Sequence, residues 1–264
     1  MRWLDTGDTV IRHEITGEGP PLVLVHEMGG SLNSWDAVAP ALARHYRVLR
    51  YDLRGAGQSE KVRAPLSMDI LAADLVALLD AAGIAGPAAF LGTAVGAALT
   101  MRLARVQPRR VACLVALSPV TACPAARQQS VLAHADRIEK EGLRALEAAS
   151  IDGILPPPLR QDPVAHEQAR CRWLANDPHS FAAIYRMFAH LEMAEEYPRI
   201  ACPALLVGAT HDGLRPPAAV QAVAAAMPNA RYEEWPTGHI AAVQTPEMVV
   251  RGTLDFLREH LPPS

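Results

Sequence analysis

Short apolar runs alternate with helical patterns along most of the chain, and this alternation limits the possible folds more than any other feature. Apolar, strand-like runs occupy residues 22–25, 46–51, 88–91, 111–117, 205–208 and 231–235. The spacing of apolar residues predicts helices over 69–82, 96–107 and 245–260, and residues 1–16 predict a hairpin that turns near Gly7. Strands that alternate with helices form a parallel sheet covered on both faces, so we expect an α/β fold with a mostly parallel, doubly wound sheet.

Residues 120–199, here called the helical segment, interrupt the alternation. They are helical in character, rich in Ala, Arg and Glu, and contain no clear strand. We therefore expect an all-helical cap inserted into a core formed by residues 1–119 and 200–264. Such an insertion lies over the carboxyl ends of the strands, where open α/β sheets place their ligands.

Composition excludes several classes of protein. The 264 residues are 50% hydrophobic and carry a net charge of −3, from 25 basic and 28 acidic residues, so neither disorder nor nucleic-acid binding is expected. No apolar run reaches the ~18 residues of a membrane span, and no secretory signal is visible. The four cysteines match no zinc pattern, and no glycine-rich phosphate loop follows the first apolar run. We expect a cytoplasmic protein with no metal, cofactor or membrane partner and a small-molecule substrate; the oligomeric state stays open.

A strand–turn–helix elbow is predicted at Gly92-Thr93-Ala94-Val95-Gly96. Small residues at both ends allow the strand and the helix to approach, and the central residue is held in a strained conformation above the sheet. That central residue is Ala94, which has no nucleophilic atom. Thr93 precedes the apex, so its side chain is expected to point away from the site.

An acidic residue and a histidine follow the elbow, each in a loop just after a predicted strand. Asp212 comes after the run at 205–208, and His239 comes 27 residues later in Thr237-Gly238-His239. A carboxylate that accepts a hydrogen bond from one imidazole nitrogen leaves the other nitrogen free to act as a base. We expect Asp212 and His239 to form such a pair.

Four motifs together make the chain resemble the α/β-hydrolase family from residue 22 to residue 256. They are Leu24-Val25-His26-Glu27-Met28-Gly29-Gly30, Tyr51-Asp52-Leu53-Arg54-Gly55-Ala56-Gly57-Gln58-Ser59, the elbow, and the Asp212…Gly238-His239 pair. Within the family, the chain looks similar to 3-oxoadipate enol-lactonase-like enzymes and to small amide and lactone hydrolases. The resemblance implies hydrolysis of a small ester, lactone or amide, with position 94 as the nucleophile position.

The resemblance also implies an oxyanion hole formed by backbone N–H groups. Val95 supplies one donor, and Met28 or Glu27 in the loop His26–Gly30, here called the oxyanion loop, supplies the other. We expect His26 to brace this loop, which also contains Gly29. Glu27 stands where the family usually has glycine, and its side chain is expected to point away from the site or to pair with a nearby base.

Three hypotheses account for Ala94. In the first, the alanine replaces a serine, so the chain is an inactivated serine hydrolase. In the second, the alanine is native, and the His239–Asp212 pair works as a general base without a covalent intermediate, as a hydrolase or a lyase. In the third, the chain is a non-catalytic protein that binds a ligand in the same pocket.

Basic residues of the helical segment are candidates for binding a substrate carboxylate, because guanidinium groups match carboxylates in a bidentate geometry. They are Arg127, His134, Arg137, Arg170, Arg172 and His190. The substrate is therefore predicted to carry a carboxylate.

Overall fold

The computed structural model describes residues 2–160 and 162–262 of the chain. Its strands are β1 (Arg2–Asp5), β2 (Val10–Thr16), β3 (Pro21–Val25), β4 (Arg47–Tyr51), β5 (Ala88–Thr93), β6 (Val111–Leu117), β7 (Ala204–Ala209) and β8 (Ala230–Trp235). They form one sheet in the order β1-β2-β4-β3-β5-β6-β7-β8. β1 and β2 pair antiparallel with their neighbours, and the remaining strands run parallel. The predicted mostly parallel α/β fold is confirmed.

Helices cover both faces of this sheet, and further helices belong to the helical segment. In chain order the α-helices are α1 (Ala39–Leu42), α2 (Met68–Ala81), α3 (Val95–Val106), α4 (Ala125–Glu141), α5 (Glu147–Ile154), α6 (Pro163–Leu174), α7 (Pro178–Ala189), α8 (Pro217–Ala225), α9 (Ala241–Gln244) and α10 (Pro246–His260). The apolar sides of α2, α3 and α8 pack on one face, and those of α1, α9 and α10 pack on the other. Each helix buries one stripe of side chains, as their helical periodicity requires.

Neighbouring residues of β5 show how the two cores form. Phe90 belongs to the core under α2 and α3, whereas Leu91 belongs to the core under α10. Successive side chains of a strand point to opposite faces, so a strand buried on both faces is apolar throughout. This accounts for the uninterrupted apolar runs that predicted the inner strands.

Local signals explain where the elements begin and end. The Ser67 side chain accepts the N–H of Ile70 at the start of α2, and Gly83, with φ of +69°, follows its last turn. The C-terminal prediction of one helix over 245–260 corresponds to α10, but the short helix α9 precedes it and was not predicted.

The helical segment contributes α4–α7 between β6 and β7. These helices share an apolar cluster built around Ile138, Leu146, Trp173 and Phe181. In the described part of the segment, extended residues pair only at a single β-bridge, between Ala122 and Glu192. Four residues of the predicted core and cap lie outside the described residues: Met1, Gln161, Pro263 and Ser264. No helix in the described ranges is both long and apolar enough to cross a bilayer.

The centre of the sheet is its topological switch point. β4 lies on one side of β3 and β5 on the other, so the strand order reverses there. Open α/β sheets bind ligands in the crevice at such a point, outside the carboxyl ends of the strands. The loop after β3 and the turn after β5 both lie at this crevice.

Candidate functional site

Ala94 forms the apex of a sharp turn between β5 and α3. Its backbone has φ of 52° and ψ of −114°, a region that a residue with a Cβ rarely occupies. Its N–H donates to the Leu117 carbonyl at 2.9 Å, and its carbonyl accepts the N–H of Val120 at 3.1 Å. These bonds to the neighbouring segment hold the strained apex in place.

Glycine is required on both sides of the apex. A Cβ at Gly92 would lie 2.6 Å from the Ala97 Cα, and a Cβ at Gly96 would lie 2.3 Å from the Val25 carbonyl oxygen. Such distances are shorter than any ordinary contact, so only glycine fits. The start of α3 therefore packs directly on the end of β3, next to the oxyanion loop.

Asp212 and His239 form a buried hydrogen-bonded pair. His239 Nδ1 lies 2.8 Å from Asp212 Oδ2. The other carboxylate oxygen accepts the N–H groups of Leu214 at 2.8 Å and Arg215 at 2.9 Å. Because the carboxylate is the acceptor, Nδ1 carries the proton and Nε2 is left as an acceptor. Nε2 has no hydrogen-bond partner within the described residues.

The surroundings of Asp212 favour its charged form. Burial opposes ionisation, but hydrogen bonds from His239, the Arg215 N–H and the Ser118 side chain outweigh it and hold the pKa of the Asp212 carboxyl below its ordinary value. A permanent carboxylate at this position can stabilise an imidazolium on His239.

Ser118 connects the elbow to this pair, and the sequence did not single it out. It follows β6 with φ of 44°, and its N–H donates to the Val207 carbonyl at 2.9 Å. Its side chain bonds Asp212, while the Val120 N–H two residues later bonds Ala94. Its place just after a buried strand was the signal that could have identified it.

The oxyanion loop is braced by His26. Its Nδ1 lies 2.7 Å from the Glu27 carbonyl, and its Nε2 accepts the Leu53 N–H at 2.9 Å. Both ring nitrogens are therefore committed to backbone groups. Gly29 takes φ of +86°, which turns the chain sharply after Met28.

Two backbone donors are left without acceptors near the elbow. Neither the Val95 N–H, in the first turn of α3, nor the Met28 N–H has an acceptor in the part of the chain that the structure describes. Unpaired N–H groups at a helix start suit developing negative charge.

The Glu27 side chain pairs with a hydroxyl group. No basic side chain pairs with it among residues 2–160 and 162–262; instead its Oε1 accepts the Ser34 hydroxyl at 2.7 Å. Gly30 leaves the room for this contact, since a Cβ there would lie 2.2 Å from Glu27 Oε1. Of the two predicted alternatives, pairing with a base is not found among the described residues, because the 3₁₀ turn Leu32–Trp35 supplies a hydroxyl donor; a side chain that points away from the site stays a prediction.

The helical segment closes over the oxyanion loop. The Trp173 ring lies against Gly29, and Asn176 Nδ2 donates to the Gly29 carbonyl at 3.0 Å. A cavity of about 20 Å³ remains between the helical segment and the oxyanion loop, and its lining includes Met28, Arg172 and Ile240. This volume holds about one water molecule.

The basic residues predicted to bind a carboxylate divide into two groups. Arg137 pairs with Glu141, and Arg170 pairs with Glu147 and Glu167. The His134 ring packs edge to face against Tyr185, and His190 bonds Gln128. Arg127 is exposed. Arg172 alone of the six lines the cavity at the oxyanion loop.

The remaining expectations concern Thr93 and metal binding. The Thr93 hydroxyl is buried and has no hydrogen-bond partner among the described residues, so it makes no hydrogen bond to His239. No group of three or more potential ligands that could hold a metal occurs within the described ranges.

Known proteins resemble the chain over nearly its whole length. A sequence profile of the alpha/beta hydrolase fold matches residues 20–140. A putative carbamate hydrolase RutD of Stutzerimonas stutzeri is 30% identical over 92% of this chain and 93% of its own length. The pyrrolizixenacetamide deacetylase of Xenorhabdus hominickii is 28% identical over 97% of this chain and 98% of its own. The structure of an enol-lactonase from Burkholderia xenovorans superimposes with a TM-score of 0.91 at 27% identity, covering 97% of this chain and 99% of that chain.

Proposed function

Because the chain belongs to the α/β-hydrolase family of enzymes, we propose that its site acts on the acyl bond of a small ester, lactone or amide. The observation that carries the proposal is the strained elbow at Ala94 beside the hydrogen-bonded Asp212–His239 pair. In this proposal His239 Nε2 is the base, Asp212 holds the ring, and the N–H groups of Val95 and Met28 hold the oxyanion.

The first route follows the logic of a serine hydrolase, with position 94 as the nucleophile position. A hydroxyl on that residue would attack the carbonyl carbon while His239 takes its proton. The leaving group would then depart with that proton, and water would release the acyl group. Alanine cannot take the first step, so on this route the chain is an inactivated serine enzyme.

Ala94→Ser tests this route. We expect the substitution to raise kcat/KM on small p-nitrophenyl esters and carboxylated lactones by at least about 100-fold, since a serine nucleophile is worth up to ~10⁶ in kcat. An initial burst of product should accompany the gain, because acylation precedes release. His239→Ala added to this variant should abolish the gain. A folded Ala94→Ser protein with no gain on any substrate would contradict the route.

A second route needs no nucleophile on the chain. It is favoured by His239 Nε2, which has no hydrogen-bond partner among the described residues. A water molecule beside the Ala94 methyl could give its proton to Nε2 and attack the carbonyl carbon directly. General-base assistance is worth ~10²–10⁴-fold, enough for an activated ester or lactone. Turnover by the unmodified chain, lost in His239→Ala, would establish this route.

Arg172 favours a carboxylated substrate. It is half-buried, it lines the cavity beside Met28 and Gly29, and it has no carboxylate partner among the described residues. A guanidinium in that position can bind a carboxylate of the substrate in a bidentate geometry. Preference for a lactone acid over its methyl ester, lost in Arg172→Ala but kept in Arg137→Ala, would support this assignment.

A further inference from the structure

The candidate site contains an unused carboxylate. Glu27 has an exposed fraction of 7% and no basic partner in the described ranges. Ser34 bonds Oε1 only, and Oε2 has no hydrogen-bond partner among the described residues. An anchor for the oxyanion loop needs the first oxygen alone, so the second oxygen is available to a ligand or a water molecule.

Glu27 lies close to the elbow through the packing of α3. The Val25 and His26 carbonyls lie directly against Gly96, two residues after Ala94, and Val25 pairs with Gly92 across the β3–β5 ladder. The backbone of Glu27, the next residue, therefore borders the same crevice. Glu27 also lines the cavity under Trp173, together with Met28 and Ile240, the residue after His239.

The unpaired polar groups of the site then form two sets. The Val95 and Met28 N–H groups are donors, and they suit a carbonyl oxygen. His239 Nε2 and Glu27 Oε2 are acceptors, and no carbonyl oxygen can bond them. A water molecule has two protons to donate, so it can satisfy both acceptors at once.

We propose that Glu27 is a catalytic carboxylate that, with His239, holds the water which attacks the substrate in place of the nucleophile missing at Ala94. The inference rests on the proposed acyl chemistry and selects its second route. One water proton passes to His239 Nε2 while the water oxygen bonds to the carbonyl carbon and the C=O electron pair moves to oxygen. The other proton stays bonded toward Glu27. His239 then returns its proton to the leaving oxygen or nitrogen as the acyl bond breaks.

Arg172 makes such a carboxylate tolerable beside a carboxylated substrate. It lines the same cavity without pairing with Glu27, so the two residues of opposite charge border a shared space. The guanidinium can bind the substrate carboxylate, which leaves Glu27 to the water.

The test is a double-mutant cycle between positions 27 and 94 on the full chain. We expect Glu27→Gln to lower kcat/KM of the unmodified chain by about 100-fold on an activated lactone or p-nitrophenyl ester. In the Ala94→Ser background a hydroxyl replaces the water, so the same substitution should cost less than about 3-fold. The unmodified chain should also show no product burst, whereas Ala94→Ser should show one.

A matched control separates this role from a structural one. Glu14→Gln replaces a half-buried carboxylate of β2 that pairs with Arg50 of β4. Because β4 separates β2 from β3 and the oxyanion loop, this substitution should leave turnover as it is. Equal losses for Glu27→Gln in both backgrounds would assign Glu27 to loop support through Ser34 and overturn the inference. Turnover by Ala94→Ser alone would overturn it too but leave the proposed acyl chemistry standing. Silence in both backgrounds would overturn both.

Discussion

At the scale of single residues, Ala94 is the strained position of the elbow, with φ of 52°. Alanine gains nothing from a positive φ, and a left-handed conformation costs an L-residue about 1–2 kcal/mol. The turn keeps it because the Leu117 carbonyl and the Val120 N–H bond its backbone. A conformation maintained by its surroundings at some cost points to a functional position rather than to a random turn.

Asp212 should make stability depend on pH in acid. Its pKa in the folded protein lies below the ordinary value near 4, so its contribution is fully present above that value. The contribution is lost as pH falls through the lowered pKa. We expect the gap in unfolding free energy between the parent and Asp212→Asn to be largest at neutral pH and to shrink below about pH 4. Urea unfolding of both proteins from pH 7 to pH 2 measures it, and a gap independent of pH would contradict the prediction.

At the scale of elements, the site depends on two connections made at close range. The helix α3 starts against the end of β3, and this contact sets the Val95 N–H beside the oxyanion loop. The Ser118 turn after β6 joins the elbow to Asp212. Neither connection involves a long flexible loop, so the donors and the His239 base are positioned by the sheet itself.

Gly96→Ala should disrupt the first connection. The added methyl would lie 2.3 Å from the Val25 carbonyl and 2.4 Å from the His26 carbonyl, and rigid backbone cannot yield cheaply. We expect the unfolding free energy to fall by about 1–3 kcal/mol, as for other overpacked sites. Gly86→Ala is the matched control, because nothing lies within 4 Å of its added Cβ; it should be neutral or slightly stabilising. Equal effects of the two substitutions in denaturant unfolding would refute the packing argument.

At the scale of the whole molecule, the helical segment lies over the oxyanion loop. The cavity between them, lined in part by residues of α5 and α6, holds about one water and is too small for an ester or a lactone. The Asn176 bond to Gly29 and the Trp173 ring against the same residue hold the segment to the loop. We propose that the segment is the cap of the enzyme and that a substrate enters when α5 or α6 moves away from the loop.

Trp173→Ala should widen this entrance. The ring packs on Gly29 and contacts Phe181 edge to face at 5.7 Å, so its loss opens space directly above the loop. In the Ala94→Ser background we expect the ratio of kcat/KM for hexanoate over acetate p-nitrophenyl esters to rise about 10-fold or more. Stability should fall by about 3–5 kcal/mol. Trp3→Ala, whose ring is 53% exposed on β1, should change neither quantity. An unchanged acyl preference would mean that Trp173 does not limit the pocket.

Local sequence patterns were enough to predict the main elements and the chain order of the candidate site residues. Strand and helix periodicities are local, so β6 and α2 could be placed within a residue or two of their observed limits. The small residues around Ala94, and the acid and histidine after later strands, predicted a meeting at one sheet edge, because parallel strands end on the same side. In the structure, Asp212 and His239 are joined by a hydrogen bond.

The folded arrangement of turns and helices sets which polar groups remain unpaired. Glu27 takes its one partner among the described residues, Ser34, from the turn after the oxyanion loop, and the same packing leaves its second oxygen free. Arg170 and Arg172 are two residues apart, yet one is paired and the other lines the cavity. The periodicity of apolar residues does not encode hydrogen-bond partners, whether these come from a neighbouring turn or from another helix. The periodicity of this chain therefore fixes its scaffold, whereas packing between elements selects the groups left to act on a substrate.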